Sequence, residues 1–179
     1  MRGSRPLYTI GHSTRSADEL SGILHTWGVT RLVDIRTMPR SRTNPQFNGD
    51  VLPQTLSPTG IAYVALPSLG GLRGKSKIVE PTTNAGWRQS AFRNYADYAE
   101  TVPFRAGLQE LLDMASNETC AVMCAEAVWW RCHRRIVADH AIAHGVPVVH
   151  LFSLEKGEPA ALTPFAVVGP GGRVSYPAL

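Results

Sequence analysis

A single α/β domain, built on a mostly parallel five-stranded sheet with helices on both faces, is expected from three features. Short apolar runs alternate with segments of helical periodicity, the pattern of strand and helix units wound around a parallel sheet. At 179 residues the chain fits one domain and can bury a sizeable core. No internal repeat or interdomain linker interrupts it, and the Gly- and Pro-rich stretch from Ser153 onward is its one compositional break. Residues 1–152 are therefore expected to form the α/β domain, and residues 153–179 an extension packed on it.

The first predicted strand is Leu7-Tyr8-Thr9-Ile10, closed by Gly11. Ser16, with Glu19 three residues later, makes a capping box. Leu20, Ile23, Leu24 and Trp27 follow at helical spacing, and Gly28 stops the helix. Arg31–Arg36 reads as the second strand, and Pro39, Pro45 and Gly49 mark the polar loop after it. A short helical turn is expected over Val51–Leu56, then a third strand over Ile61–Leu66 that ends in Pro67 and the Gly70-Gly71 pair. Residues 72–90 look irregular, a length that points to a functional lid. Helices are expected over Phe92–Tyr98 and Phe104–Met114, separated at Pro103. Thr119–Met123 is the fourth strand, Arg131–His144 a helix ended by Gly145, and Val146–Phe152 the fifth strand. Phe165–Val168 and Arg173–Tyr176 flank a Gly-Pro-Gly-Gly turn, a hairpin pattern.

Apolar residues make up 44% of the chain, so disorder is not expected. No window reaches the run of about 18 uncharged apolar residues that a membrane span needs. The start, Met1-Arg2-Gly3-Ser4-Arg5-Pro6, lacks the apolar core of a signal peptide, and a cytoplasmic location is expected, with no membrane partner. Three cysteines, Cys120, Cys124 and Cys132, make a poor disulfide scaffold. The net charge of +4 is only moderately basic, but nine of the 18 basic residues fall between Arg36 and Arg42, Arg73 and Lys77, and Arg131 and Arg135. Each window follows a predicted strand, which favours an anionic partner at one end of the sheet.

Ligands of open parallel sheets sit outside the carboxyl ends of the strands. That edge should gather His12 and Ser13 after the first strand, Asp34 and Arg36 at the end of the second, Gly70 and Gly71 after the third, and Cys124 to Arg134 after the fourth. The last stretch places two thiols, a carboxylate, an imidazole and two guanidiniums within eleven residues. Glu126, in an apolar corner near Trp129 and Trp130, is the general acid or base candidate, or else an ion-pair partner of Arg131 or Arg134. Cys132, near a helix N-terminus beside His133, Arg131 and Arg134, has surroundings that favour thiolate; small buried cysteines are also common. Asp34 and Arg36, two apart, share a strand face, and either pair with each other or face a ligand. His12 is a candidate site imidazole or a capping histidine, and Gly70-Gly71 either allows close approach to a ligand or simply turns the chain. Arg36 and Arg40 could clamp phosphate or carboxylate.

Cys124, Cys132 and His133, with His12, form a set acceptable to zinc. The Cys-x7-Cys-His spacing is not that of a common zinc module, so no cofactor is expected. His133, His140 and His144 fall near one helix face and read as a solvated histidine face.

Several of these pieces resemble a bacterial and archaeal family known as domain of unknown function 488. They are Thr9-Ile10-Gly11-His12-Ser13, Leu32-Val33-Asp34-Ile35-Arg36 with Pro39-Arg40-Ser41, Asn44-Pro45-Gln46-Phe47, Leu69-Gly70-Gly71, Phe92-Arg93-Asn94-Tyr95-Ala96-Asp97-Tyr98, and Met123-Cys124-Ala125-Glu126 through Cys132-His133-Arg134. They run in order from about Tyr8 to Phe152. Asn94 stands where the family often has glycine, and Trp129 where proline is frequent. The resemblance implies one compact α/β domain and brings no established reaction.

The expected function is an enzyme acting on an anionic substrate: a nucleotide, a phosphorylated metabolite or a nucleic-acid end. Arg36, Arg40 and Arg134 would neutralise the anion, with Ser13, Gly70, Gly71 and His133 also in the binding site. Glu126 would move a proton, Cys124 or Cys132 would act as nucleophile or orienting group, and His12 with Asp34 would form a supporting pair. The alternatives are a non-catalytic nucleic-acid-binding module, whose affinity would fall steeply with salt, and a redox or metal site built on Cys124 and Cys132.

Overall fold

The computed structural model describes residues 4–179. Its sheet has six strands in the order β3-β2-β4-β1-β5-β6. These are β1 (Leu7–Gly11), β2 (Arg31–Asp34), β3 (Ala62–Ala65), β4 (Cys120–Cys124), β5 (Val148–Leu151) and β6 (Gly157–Pro159). The first five run parallel, and β6 returns antiparallel along β5. The α/β class and the parallel sheet are those expected. The sixth strand is an addition: Gly157-Glu158-Pro159 has no apolar alternation to announce it, and it is placed by a tight return in which Phe152 N–H donates to Lys156 O.

The helices are α1 (Ala17–Thr26), α2 (Leu52–Leu56), α3 (Ser90–Tyr98), α4 (Val102–Asn117) and α5 (Arg134–Ala143). The connections β1→β2 and β2→β3 move one way across the sheet, and β3→β4 and β4→β5 move the other. Right-handed crossovers then put α1 and α2 on one face and α3 to α5 on the other. The two cores follow that division. Leu20, Ile23, Leu24, Leu52 and Leu56 pack with Ile10, Leu32 and Met123, while Tyr95, Phe104, Leu111, Ile136 and Val137 pack with Leu7, Val33 and Val122.

Local chemistry sets most element ends. The Ser16 side chain accepts from Glu19 N–H at 3.0 Å at the head of α1, and Asp18 and Glu19 complement the positive end of the helix. The two helices expected here are present, but the break falls at residues 99–101; Pro103 sits in the first turn of α4, where its missing N–H has no intrahelical partner to lose. The helix expected from Arg131 begins at Arg134 instead. A 3-10 turn over Trp129–Arg131 leads into Cys132, whose backbone is extended, so Cys132 turns off the helix axis and His133 becomes the N-cap of α5.

Of the irregular stretch after β3, the first half lies open, with Leu72 93% and Ile78 85% exposed. The second half is anchored: Asn84 and Trp87 are buried, and Asn84 Nδ2 donates to Asp97 at 2.8 Å. The tail forms the hairpin β7 (Val167–Val168) and β8 (Val174–Ser175). Beyond it Tyr176 is buried, its hydroxyl donating to Asp139 Oδ2 at 2.7 Å and its N–H to Asn84 Oδ1 at 3.1 Å. Among the described residues, no helix is long and apolar enough to cross a membrane.

Candidate active site

Register brings the strand ends to one level. Gly11 lies beside Cys124, and Asp34 lies between Met123 and Ala65. The connections leaving β1 and β2 cross one face and that leaving β4 crosses the other, so a crevice opens above β4, as at other switch points of such sheets. A cavity of about 870 Å³ fills it. Its lining includes His12, Ser13, Arg36, Arg40, Gly71, Cys124, Glu126, Cys132 and His133 among the sequence-predicted residues. Gly70 packs beneath this wall against Thr37, leaving no room for a side chain, and Gly71 lies closely, though less tightly, against the His133 ring. Gly11 is more constrained still, because a Cβ there would fall inside the Glu126 carbonyl.

The two thiols at the cavity floor are unlike. Cys132 Sγ accepts the Arg134 backbone N–H at 3.4 Å and lies 3.5 Å from His133 Nδ1. The far nitrogen of that ring, Nε2, donates to Ile35 O at 2.9 Å, which fixes the imidazole edge toward the sulfur. Cys124 Sγ donates to Glu126 O at 3.9 Å, the carbonyl that Arg134 also holds, and it adjoins Cys132 across the cavity floor. Burial opposes ionisation of both sulfurs. At Cys132 it is outweighed by the adjoining Cys124 thiol, by the His133 imidazole and by the charge of Arg134, which hold the thiol well below its usual pKa. At Cys124 burial and the adjoining Cys132 push the pKa well up, and the Arg134 charge and the Glu126 carbonyl offset only part of that.

Arg134 explains part of that asymmetry. It is 1% exposed, and among the described residues no carboxylate lies within ion-pairing distance. Its NH2 donates to Glu126 O at 2.7 Å and its NH1 to Thr9 Oγ1 at 3.4 Å, while Nε has no partner. A buried cation without a counter-charge is costly; a thiolate at Cys132 supplies one. Since Thr9 Oγ1 accepts from Arg134, its own proton goes to His150 Nδ1 at 2.6 Å. Burial and the Arg134 charge lower the His150 pKa to about 3 and keep it neutral behind the site. Its ring stacks on Trp129 at 4.6 Å.

Arg36 is not available as an anion clamp. Its Nε and NH2 grip Asp34 at 2.9 and 2.6 Å, NH2 also donates to Phe47 O, and NH1 points to His12 Nε2 at 3.3 Å. Asp34 pairs with Arg36 and accepts from Tyr63 OH at 2.6 Å, so it does not make the expected pair with His12. His12 Nδ1 donates to Ser13 O, and burial lowers its pKa. It stacks on Phe47 as a neutral part of the wall. Arg134, committed to the loop carbonyl, also has no reach toward a ligand. Glu126 is exposed, and among the described residues none donates to its carboxylate; the backbone carbonyl, not the side chain, holds Arg134. Arg40 is exposed at the cavity rim, as is Arg131, which its position in the chain does not distinguish from Arg134 and Arg135.

Thr9, Tyr95 and His150 also shape the site; Thr9 and Tyr95 lie in two of the motifs that carry the resemblance, but none of the three stood out as a site residue. Tyr95 sits 5.0 Å from the His133 ring, its hydroxyl donating to Leu69 O. Among the described residues, no three His, Cys, Asp or Glu side chains group to hold a metal ion. His133 and His12 spend their outer nitrogens on Ile35 and Arg36 instead of joining the cysteines. The histidine face of α5 is not solvated throughout: His140 is 5% exposed, packs on Phe104, and is pushed by burial to a pKa of about 4.

Fold and site together define an open, mostly parallel α/β domain with a cysteine–histidine cluster at the carboxyl edge of its sheet. The chain belongs to the family described as Domain of unknown function DUF488, which matches residues 16–141. That span takes in Asp34, Arg36, both site cysteines, His133 and Arg134. No curated protein and no solved structure matches the chain.

Proposed function

We propose that this protein is an enzyme in which the Cys132 thiolate attacks an electrophilic centre of an anionic substrate held in the cavity above β4. The supporting observation is the setting of one sulfur: Cys132 Sγ lines the cavity and is met by a backbone N–H, an oriented imidazole and a second thiol, beside a buried guanidinium that needs a negative charge. Such surroundings activate a nucleophile. Arg40 and Arg131 at the rim attract the anion, and Ser13 and the wall at Gly71 border it. Glu126, exposed at the mouth, moves the proton of the leaving group or of the attacking water. The substrate is a nucleotide, a phosphorylated metabolite or a nucleic-acid end. A cytoplasmic setting suits the reading, because thiols stay reduced there, and the chemistry draws on the chain's own side chains.

The test is cysteine-by-cysteine alkylation with iodoacetamide, read by peptide mass mapping between about pH 6 and 8. Cys132 should react fastest, nearly independent of pH, and should be protected by nucleotides or phosphate esters. A Cys132 that labels no faster than Cys120 removes the nucleophile. The exposed guanidiniums Arg40, Arg42 and Arg131 favour a second reading, non-catalytic nucleic-acid binding. It requires oligonucleotide affinity that falls steeply with salt and is indifferent to Cys132→Ser.

A further inference from the structure

Cys124 is not the nucleophile, yet it shares the cavity wall with Cys132. Both sulfurs belong to the same cavity wall and are anchored to one bridge: Cys124 Sγ donates to Glu126 O, Arg134 NH2 holds that carbonyl, and the Arg134 N–H meets Cys132 Sγ. Neither is in a disulfide. They are 2% and 4% exposed, so the opening admits a small reagent to the sulfurs but not another protein's disulfide. Cys120 points to the same face of β4 four residues earlier, about 13 Å away at the rise of a strand. Beside it stand Glu118 and Arg31, not the site groups.

We propose that the pair reduces hydroperoxides, with Cys132 as the attacking and Cys124 as the resolving sulfur; this rests on Cys132 being the nucleophile. The Cys132 thiolate attacks the terminal oxygen of ROOH. The O–O bond breaks, a sulfenic acid forms on Cys132, and the departing alkoxide takes a proton to leave as ROH. Cys124, giving up its proton, then attacks the Cys132 sulfur. The S–S bond forms, the S–O bond breaks, and the hydroxide leaves as water with that proton. Two thiols are oxidised to one disulfide as one hydroperoxide is reduced, and an external dithiol restores both by exchange. The Arg134 N–H and the His133 edge favour the first step by holding the thiolate. The common wall that holds both sulfurs favours the second.

The experiment treats the purified full chain with a small excess of hydrogen peroxide, then measures free thiols in denaturant, intact mass and disulfide-linked peptides. The wild-type protein should lose two of its three thiols and the mass of two hydrogen atoms, with the bond mapped between Cys124 and Cys132 and reversed by dithiothreitol. C120S should behave identically. C124S should accumulate a dimedone-trapped sulfenic acid on Cys132, and C132S should keep both its thiols. A bond that uses Cys120 or joins two chains overturns the proposal. So does a wild-type protein in which Cys132 alkylates fast but stops at the dimedone adduct or ignores peroxide; the nucleophile then stands and the resolving thiol falls. Slow alkylation together with indifference to peroxide sinks both.

Discussion

Asp34 is a fully buried carboxylate that accepts four hydrogen bonds, from Arg36 N, Nε and NH2 and from Tyr63 OH. Such a pair is tolerated inside a protein only when both partners remain. Asp34→Asn would leave the Arg36 guanidinium buried and uncompensated, and urea denaturation should report a loss of about 3–5 kcal/mol. A change below about 1 kcal/mol would mean that the pair is hydrated in solution. Residue identity foretold some of this and hid the rest. Asp34 and Arg36 were legible as a possible mutual pair from their spacing, and Cys132 as a thiolate from its neighbours. The roles of Arg134 and Glu126 were not. Arginine ordinarily lies at the surface, so nothing local announces that Arg134 is buried as a brace while Arg131, three residues earlier, is exposed at the rim. Glu126 was singled out for its carboxylate, whereas its carbonyl makes the structural contacts, and a main-chain role leaves no trace in residue type.

The junction between β1 and the loop after β4 depends on Gly11. The Glu126 carbonyl, clamped by Arg134, occupies the space a Cβ would need. Gly11→Ala should cost at least about 3 kcal/mol, the upper end for overpacking. By displacing that carbonyl it should also slow Cys132 alkylation near pH 6. Unchanged stability in thermal melts would show that the loop yields easily. The parallel strands and most helices were legible because apolar periodicity records burial. The start of α5 was not. Arg131 to His144 reads as one helical run, but the Cys132 sulfur takes the Arg134 N–H, and the chain enters the helix two residues after that sulfur. The sheet's last strand was equally hidden, since its pairing comes from a return of the chain and not from its own side chains.

Over the whole molecule, two buried imidazoles set an acid limit. His150 is lowered from 6.5 to about 3 by burial and by the Arg134 charge, and His140 to about 4 by burial and by His144. Both stay neutral in the fold and take protons once unfolded, so below about pH 6.5 the unfolded chain binds more protons. Their contribution is intact above that value. It is lost as pH falls toward the folded values, at about 1.4 kcal/mol per pH unit for each histidine. Asp139, raised by burial, works the other way and offsets part of the loss. Urea midpoints should therefore fall between pH 7 and 5, with a shallower slope in His150→Gln; equal midpoints at the two pH values would count against the neutral pair. The far edge of the sheet bears on solubility. In β6 the Ala160 N–H turns inward to Val148 O, so the main-chain nitrogen of Pro159, one residue earlier, faces outward. Proline has no hydrogen to offer there, and a neighbouring chain that tried to lengthen the sheet from this side would meet a missing rung.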